Sequence, residues 1–317
     1  MSRYRREIAV AMAYLALLGL LAVAAPRFYR GDQLARILVG NAPILVASVG
    51  MTLVILTRQI DISIGSQLSI CGVVAGLLAR SGVPMPLVVP LTIACGASMG
   101  LLNGWLVSGL GLPSIVVTLA TMVIGRESLR WWREGEFVRN LPADFQWFGA
   151  GQGAGQWAIV GIAAGVWLAA ALALKFLAAG RSVYATGSDP EAARLAGLGP
   201  RRVVMLAFVA MGALTGLAAL LSALQLPQVD PMAGNGLELQ VIAPVVVGGV
   251  AVSGGRGTLA GVLMGVLLLG TIGAALVFLG TEAYWSKAIQ GAIILLAVAS
   301  DGLSEKGRAH GVVAAGA

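Results

Sequence analysis

The chain has 317 residues, of which 58% are hydrophobic and only 11% charged, with a mean hydropathy of +0.89. A water-soluble surface needs far more charge, so lipid is the solvent of this chain, and soluble enzymes and soluble binding modules are excluded. The formal net charge of +7 is spread over loops and both termini, which suits topology and contact with lipid headgroups; no basic helix or aromatic platform points to nucleic acid.

Apolar runs predict spans at 8–25, 37–57, 64–80, 87–108, 113–131, 156–178, 203–225, 240–256, 258–280 and 284–301. They are continuous rather than alternating, which excludes a β-barrel and predicts an all-α, polytopic membrane bundle of about ten helices. Residues 1–317 read as a single transmembrane domain, because no interruption is long enough for a soluble one. Arg3, Arg5 and Arg6 precede the first run, and Ala22-Val23-Ala24 resembles a cleavage site. The length of that run and the spans behind it favour a retained first helix with its basic end inside. An even number of spans then puts both termini in the cytoplasm, together with the 180–202 loop and the Lys306/Arg308 tail. The 132–155 and 226–239 segments fall outside, although basic residues in 26–36 and 126–139 weaken the bias.

The first break is Thr57 to Gln67, TRQIDISIGSQ. Its β-branched and polar residues suit a non-helical link, and Arg58 and Asp61 are spaced to pair. Ionisable groups near membrane depth are costly unless paired, so Arg58, Asp61, Ser63, Ser66 and Gln67 are candidates for a path or gate. A tight turn at the inner surface explains the same residues, and then Asp61→Asn would be tolerated. Glycines at spacing four (Gly72/Gly76, Gly96/Gly100/Gly104, Gly161/Gly165, Gly212/Gly216, Gly257/Gly261/Gly265) predict closely packed helix faces. On the outer side Trp131, Trp132 and Trp147 bracket Arg133, Glu134, Glu136, Arg139 and Asp144, with Asp230 and Glu238 in the second outer loop. The tryptophans suit interfacial anchors, and the mixed charges suit a docked soluble partner.

The polar island GRSVYATGSDPEAARLAGLGPRR at 180–202 contains the parts of one short helix. Ser188 or Asp189 can cap it, Pro190 suits its first position, Glu191 meets its dipole, and Gly197 ends it after about two turns. The same features fit an ordinary loop with a helical turn. The last break, Val252 to Thr258, sets Gly254, Gly255 and Gly257 around Arg256 and permits a sharp reversal. No G-x-x-x-x-G-K-[ST] occurs anywhere, so the chain has no recognisable nucleotide site of its own. Cys71 and Cys95 sit in apolar runs without metal-ligand spacing, and the sole histidine, His310, is in the tail, so no metal site and no cofactor are expected.

Three motifs together resemble the permease subunits of bacterial ABC sugar importers, the group with ribose, xylose and rhamnose permeases. MTLVILTRQIDISIGS (51–66) is similar to the family's Gly-Ile-Asp-Leu-Ser-Val-Gly-Ser stretch, with Arg58-Gln59 where many members have two glycines. GRSVYATGSDPEAARLAGL (180–198) resembles its cytoplasmic coupling loop, and GLELQVIAPVVVGGVAVSGGRGTLAGVLMG (236–265) its third signature. The resemblance runs from about 37 to 303. GLPSIVVTLATM (111–122) and Glu136 to Phe148 look closest to rhamnose-type permeases, with autoinducer-2 permeases next.

The resemblance implies a multi-pass protein of the bacterial inner membrane that imports a monosaccharide and catalyses no bond chemistry itself. Its implied partners are cytoplasmic ABC ATPase subunits, a periplasmic sugar-binding protein and a second permease subunit, identical or paralogous. Ser188, Asp189, Pro190, Glu191, Ala193, Arg194 and Gly197 would then carry the coupling to the ATPase. An ion-coupled secondary transporter is the alternative; it would need acids deep inside helices, and Asp61 is the clear one.

Overall fold

The computed structural model describes residues 5–278 and, beyond them, the isolated positions 285, 288, 289, 291, 292 and 295. Its helices in chain order are α1 (Arg5–Ala24), α2 (Gly31–Leu56), α3 (Ile64–Arg80), α4 (Met85–Gly104), α5 (Ser114–Arg133) and α6 (Gln152–Phe176). These are followed by α7 (Ala178–Ser188), α8 (Pro190–Leu195), α9 (Pro200–Ala223), α10 (Leu237–Val247) and α11 (Leu259–Phe278). Six are long and apolar enough to cross a membrane: α1, α2, α4 with its following π-helical turn, α6, α9 and α11. The chain is therefore a helical membrane bundle. The span expected at 284–301, with Lys306, Arg308 and His310 behind it, lies outside the described residues.

Glycine faces explain the closest packing. On α4, Gly96, Gly100 and Gly104 lie against Gly212, Phe208 and Met205 of α9, and a side chain at Gly96 or Gly100 would overlap α9 backbone. Without a hydrophobic drive between helices in lipid, such backbone approach is what holds two helices together. Among the described residues a side chain at Gly161 or Gly165 would meet nothing within 4 Å, and Gly257 lies at φ +143 in a turn rather than on a helix face. Helix α2 packs against α6, α9, α10 and α11. Inside it, Pro43 cannot donate to the Val39 carbonyl, and the Gln225 amide from beyond α9 reaches that oxygen at 3.4 Å.

Two apolar helices, α3 and α10, fall short of the six in length. The 11 residues of α10 reach about 16 Å, half of the roughly 30 Å hydrocarbon core, where the sequence predicted a span over 240–256. The helix runs on past Pro244 to Val247; the Gly248 amide then donates to the Pro244 carbonyl at 2.8 Å, and Gly249 (φ +93) turns the chain back towards α11. The other short helix, α3, starts only after the non-helical stretch that follows Leu56.

The loops sort to two ends of the bundle. At one end the head of α1, the 249–258 turn and the α7–α8 pair come together; Thr258 Oγ1 donates to Glu7 at 2.8 Å, and the Tyr184 hydroxyl donates to the Gly257 carbonyl at 2.8 Å. At the other end Val138 and Val229 exchange both backbone hydrogen bonds (2.9 and 3.0 Å), and the Trp147 amide donates to Leu224.

Candidate functional site

Three sequence motifs meet at the end of α2. Arg58 adopts φ +65, a left-handed backbone that L-residues avoid at a cost of about 1 kcal/mol. This is the place where the resembled motif typically carries glycine. The turn swings the Arg58 side chain away from Asp61 and onto α7, so the expected Arg58–Asp61 pair does not form. Instead, its Nε donates to the Gly187 carbonyl at 2.6 Å and its Nη2 to the Ser188 carbonyl. Gly254 (φ +82) leaves room for the Arg58 stem, and the Gly255 amide (φ +68) donates to the Leu56 carbonyl at 3.0 Å. A side chain on Gly187 would overlap that same carbonyl. Arg58, Gly187, Ser188, Gly254 and Gly255 thus form one clamp.

The polar island holds two helices rather than one. Residues 178–188 are α7, a helix beyond the one short helix that the island's capping residues predict, and Ser188 is its last residue. The cap of α8 is therefore Asp189, whose Oδ1 accepts from the Glu191 and Ala192 amides at 3.0 Å each. Pro190 takes the first helical position. The end is a Schellman motif: Leu198 donates to Ala193 and Gly197 (φ +83) to Arg194. Ala193 is buried and seats the helix, whereas Glu191 and Arg194 pair on its exposed side, with Nε to Oε2 at 3.0 Å. That carboxylate holds the Arg194 guanidinium above its usual range. Leu195, 78% exposed beside the pair, was not singled out from sequence; an apolar residue two positions before the ending glycine was the available signal.

Ahead of α3 lies a buried polar knot. Asp61 accepts from the Ser63 amide (2.9 Å), the Ser63 hydroxyl (2.5 Å) and Gln67 Nε2 (3.2 Å). The same hydroxyl accepts from Gln67 Nε2 (2.7 Å) and from Asn103 Nδ2 of α4 (2.8 Å), which uses its one donor and both lone pairs. Ser66 points its hydroxyl back to the Ser63 carbonyl at 2.8 Å. All five side chains are buried. Asn103 was missed because nothing in the sequence brings α4 to this break.

The head of α10 lies beside α3. A side chain on Gly65 would overlap the Gly234 carbonyl, and one on Gly234 the Gly65 carbonyl, while the Gly234 amide donates to Ser69 Oγ at 3.0 Å. In the first turn of α10, Glu238 Oε1 stands 3.6 Å from Arg126 Nη2 of α5, beyond hydrogen-bonding length. Glu238 Oε2 and Arg126 Nη2 are buried and have no hydrogen-bond partner among the described residues. Arg126 also lines a cavity of about 240 Å³ with Glu127, Arg130, Met232 and Asn235. A larger one, of about 530 Å³, opens between α2, α10 and α11 with mostly apolar walls.

Comparison with known proteins adds to this geometry. Residues 33–298 match the family described as "Branched-chain amino acid transport system / permease component". The chain belongs to this permease family. It is 33% identical to the autoinducer 2 import system permease protein LsrC of Enterobacter sp. (strain 638), over 94% of this chain and 87% of that one. It is 35% identical to LsrC of Escherichia coli O157:H7, with the same coverage. To the ribose import permease protein RbsC of Escherichia coli (strain K12) it is 34% identical, over 92% of each chain. No solved structure matches it. The permease is a multi-pass protein of the bacterial inner membrane. Of the residues singled out from its sequence, Arg58, Ser188, Gly254 and Gly255 come together in the clamp. Asp189, Pro190, Glu191, Ala193, Arg194 and Gly197 build α8, and Asp61, Ser63, Ser66 and Gln67 build the knot. Arg256 and Gly257 complete the 249–258 turn, where the Arg256 carbonyl accepts from Ala251 at 2.9 Å.

Proposed function

We propose that this permease is the membrane subunit of an ATP-driven importer of a small sugar, and that α8 is where separate ATPase subunits grip it. The observation that carries the reading is the clamp. It ties the end of α7, one residue before the short, capped, exposed α8, through Arg58 and Gly187 to the end of α2, and through Ser188 and Gly255 to the turn that follows α10. Movement of α8 therefore reaches both interrupted regions of the bundle at once. To shift an alternating-access equilibrium by a factor of 100, such a lever must favour one state by about 2.7 kcal/mol, through contacts that differ between states.

A second permease subunit, identical or paralogous, would complete the path, and a periplasmic binding protein would dock on the end formed by the 132–151 and 224–236 loops. The sugar reading is supported by the relatives named for ribose and autoinducer 2 import. Among sugars, the 111–122 stretch favours a rhamnose-like deoxyhexose. Uptake of labelled L-rhamnose, D-ribose and leucine by a deletion strain carrying this permease system separates these cargoes from the amino acid in the family's description. The grip is tested with Glu191→Lys combined with Arg194→Glu. The exchange keeps the pair within α8 but reverses the charges shown to a partner, so uptake should be abolished with membrane insertion intact. Wild-type uptake in that double variant would sink the assignment.

A further inference from the structure

We infer that the cavity of about 240 Å³ between α5 and the 230–236 segment is an intake site for the cargo, a neutral molecule with neighbouring hydroxyl groups, and that Arg126 links its occupancy to Glu238 at the head of α10. This rests on the sugar reading above. A hydroxyl group both donates and accepts, and the cavity wall offers both complements. Arg126 and Arg130 bring guanidinium donors to the wall, Glu127 (its Oε2 3.8 Å from Arg130 Nη1) and Asn235 bring acceptors, and Met232 adds an apolar face for C–H groups. The cavity lies towards the Val138–Val229 end, away from α8.

Arg126 makes the wall more than a surface cleft. Its Nη2 is buried and lacks a hydrogen bond among the described residues, as does Glu238 Oε2, which rests on Gly65. The two charges face each other at 3.6 Å without completing a bond. A cargo hydroxyl that accepts from Arg126 supplies the missing partner and draws the guanidinium from Glu238, which frees the head of α10. The other end of α10 leads into the turn clamped to Ser188, so cargo and ATPase act on opposite ends of one short helix. The other candidates differ: in the 530 Å³ cavity Arg36 is already paired with Asp32 at 2.7 Å, and in the knot the unmet oxygens, Gln67 Oε1 and Asn103 Oδ1, sit on neutral amides whose nitrogens are tied to Asp61 and Ser63.

The test uses the complete transporter in liposomes, with its ATPase and a saturating sugar-loaded binding protein. Asn235→Leu and Glu127→Gln should each lower the uptake rate per inserted transporter about tenfold. Should a variant fail to reach the membrane, Asn235→Cys in a Cys71→Ala/Cys95→Ala background gives a second readout. Its reaction with a thiol reagent should be slowed by D-ribose or L-rhamnose, whichever the wild type carries, and not by ribose 5-phosphate or leucine. Sugar uptake by the wild type with unchanged rates in both variants, or labelling that sugar does not slow, overturns the intake site and leaves the importer reading standing. A wild type that carries leucine and no sugar overturns both.

Discussion

The heads of α3 and α10 touch at Gly65 and Gly234, and each has an acid beside it, yet the two acids are handled in opposite ways. Asp61 is wrapped: three donors meet its carboxylate, and the Ser63 hydroxyl joins it to α3 and α4. Glu238 is left short, with a guanidinium beyond bonding distance and one oxygen unmet. A buried acid with its partners in place fixes the backbone that supplies them. A half-buried charge pair with open valences on its buried atoms gains from any rearrangement that fills them. In the knot the unmet atoms among the described residues are neutral amide oxygens, Gln67 Oε1 and Asn103 Oδ1, whereas at α10 they belong to the charged groups themselves, so the α3 head is the fixed half of the crossing and the α10 head the half prepared to move.

The largest expected effect comes from separating the two heads. Gly234→Val places a side chain on the Gly65 carbonyl, and overpacking there should cost about 3 kcal/mol and remove uptake altogether, read from thermal unfolding in detergent beside transport. Next is the wrapped acid. Asp61→Asn turns an amide donor toward donors already in place, so about 2 kcal/mol of stability should be lost, and uptake should fall with the amount of folded protein. This replaces the tolerance expected of a plain turn. The smallest stability effect belongs to Glu238→Gln, within about 1 kcal/mol of wild type because no hydrogen bond is broken, while uptake per folded molecule changes. If Glu238→Gln unfolds as readily as Asp61→Asn, the contrast between the two heads fails.

Much of the bundle was legible because apolar runs report burial in lipid directly: the expected 203–225 span nearly coincides with α9, and 64–80 has the bounds of α3, a helix shorter than the six that can cross. Chain reversals inside apolar sequence were harder. The run at 240–256 reads as continuous, and the Gly248-Gly249 pair that ends α10 is of a residue type membrane helices often contain. The cap and stop of α8 were readable because capping is local chemistry, whereas α7 was hidden in a polar stretch. The Arg58–Asp61 pair failed for a related reason. A spacing of three brings side chains together only on a helix, and Arg58 sits at a positive φ outside one. Asn103, Arg126 and Glu238 act through contacts between helices, which spacing along the chain does not encode.

The claim that energy enters through the clamp is tested most directly by Arg58→Gly. Glycine accepts the left-handed backbone without strain, so the substitution removes the guanidinium bonds to Gly187 and Ser188 and little else. In the reconstituted complex, sugar transported per ATP hydrolysed should fall about tenfold while assembly and hydrolysis persist. Transport at the wild-type ratio would contradict the account.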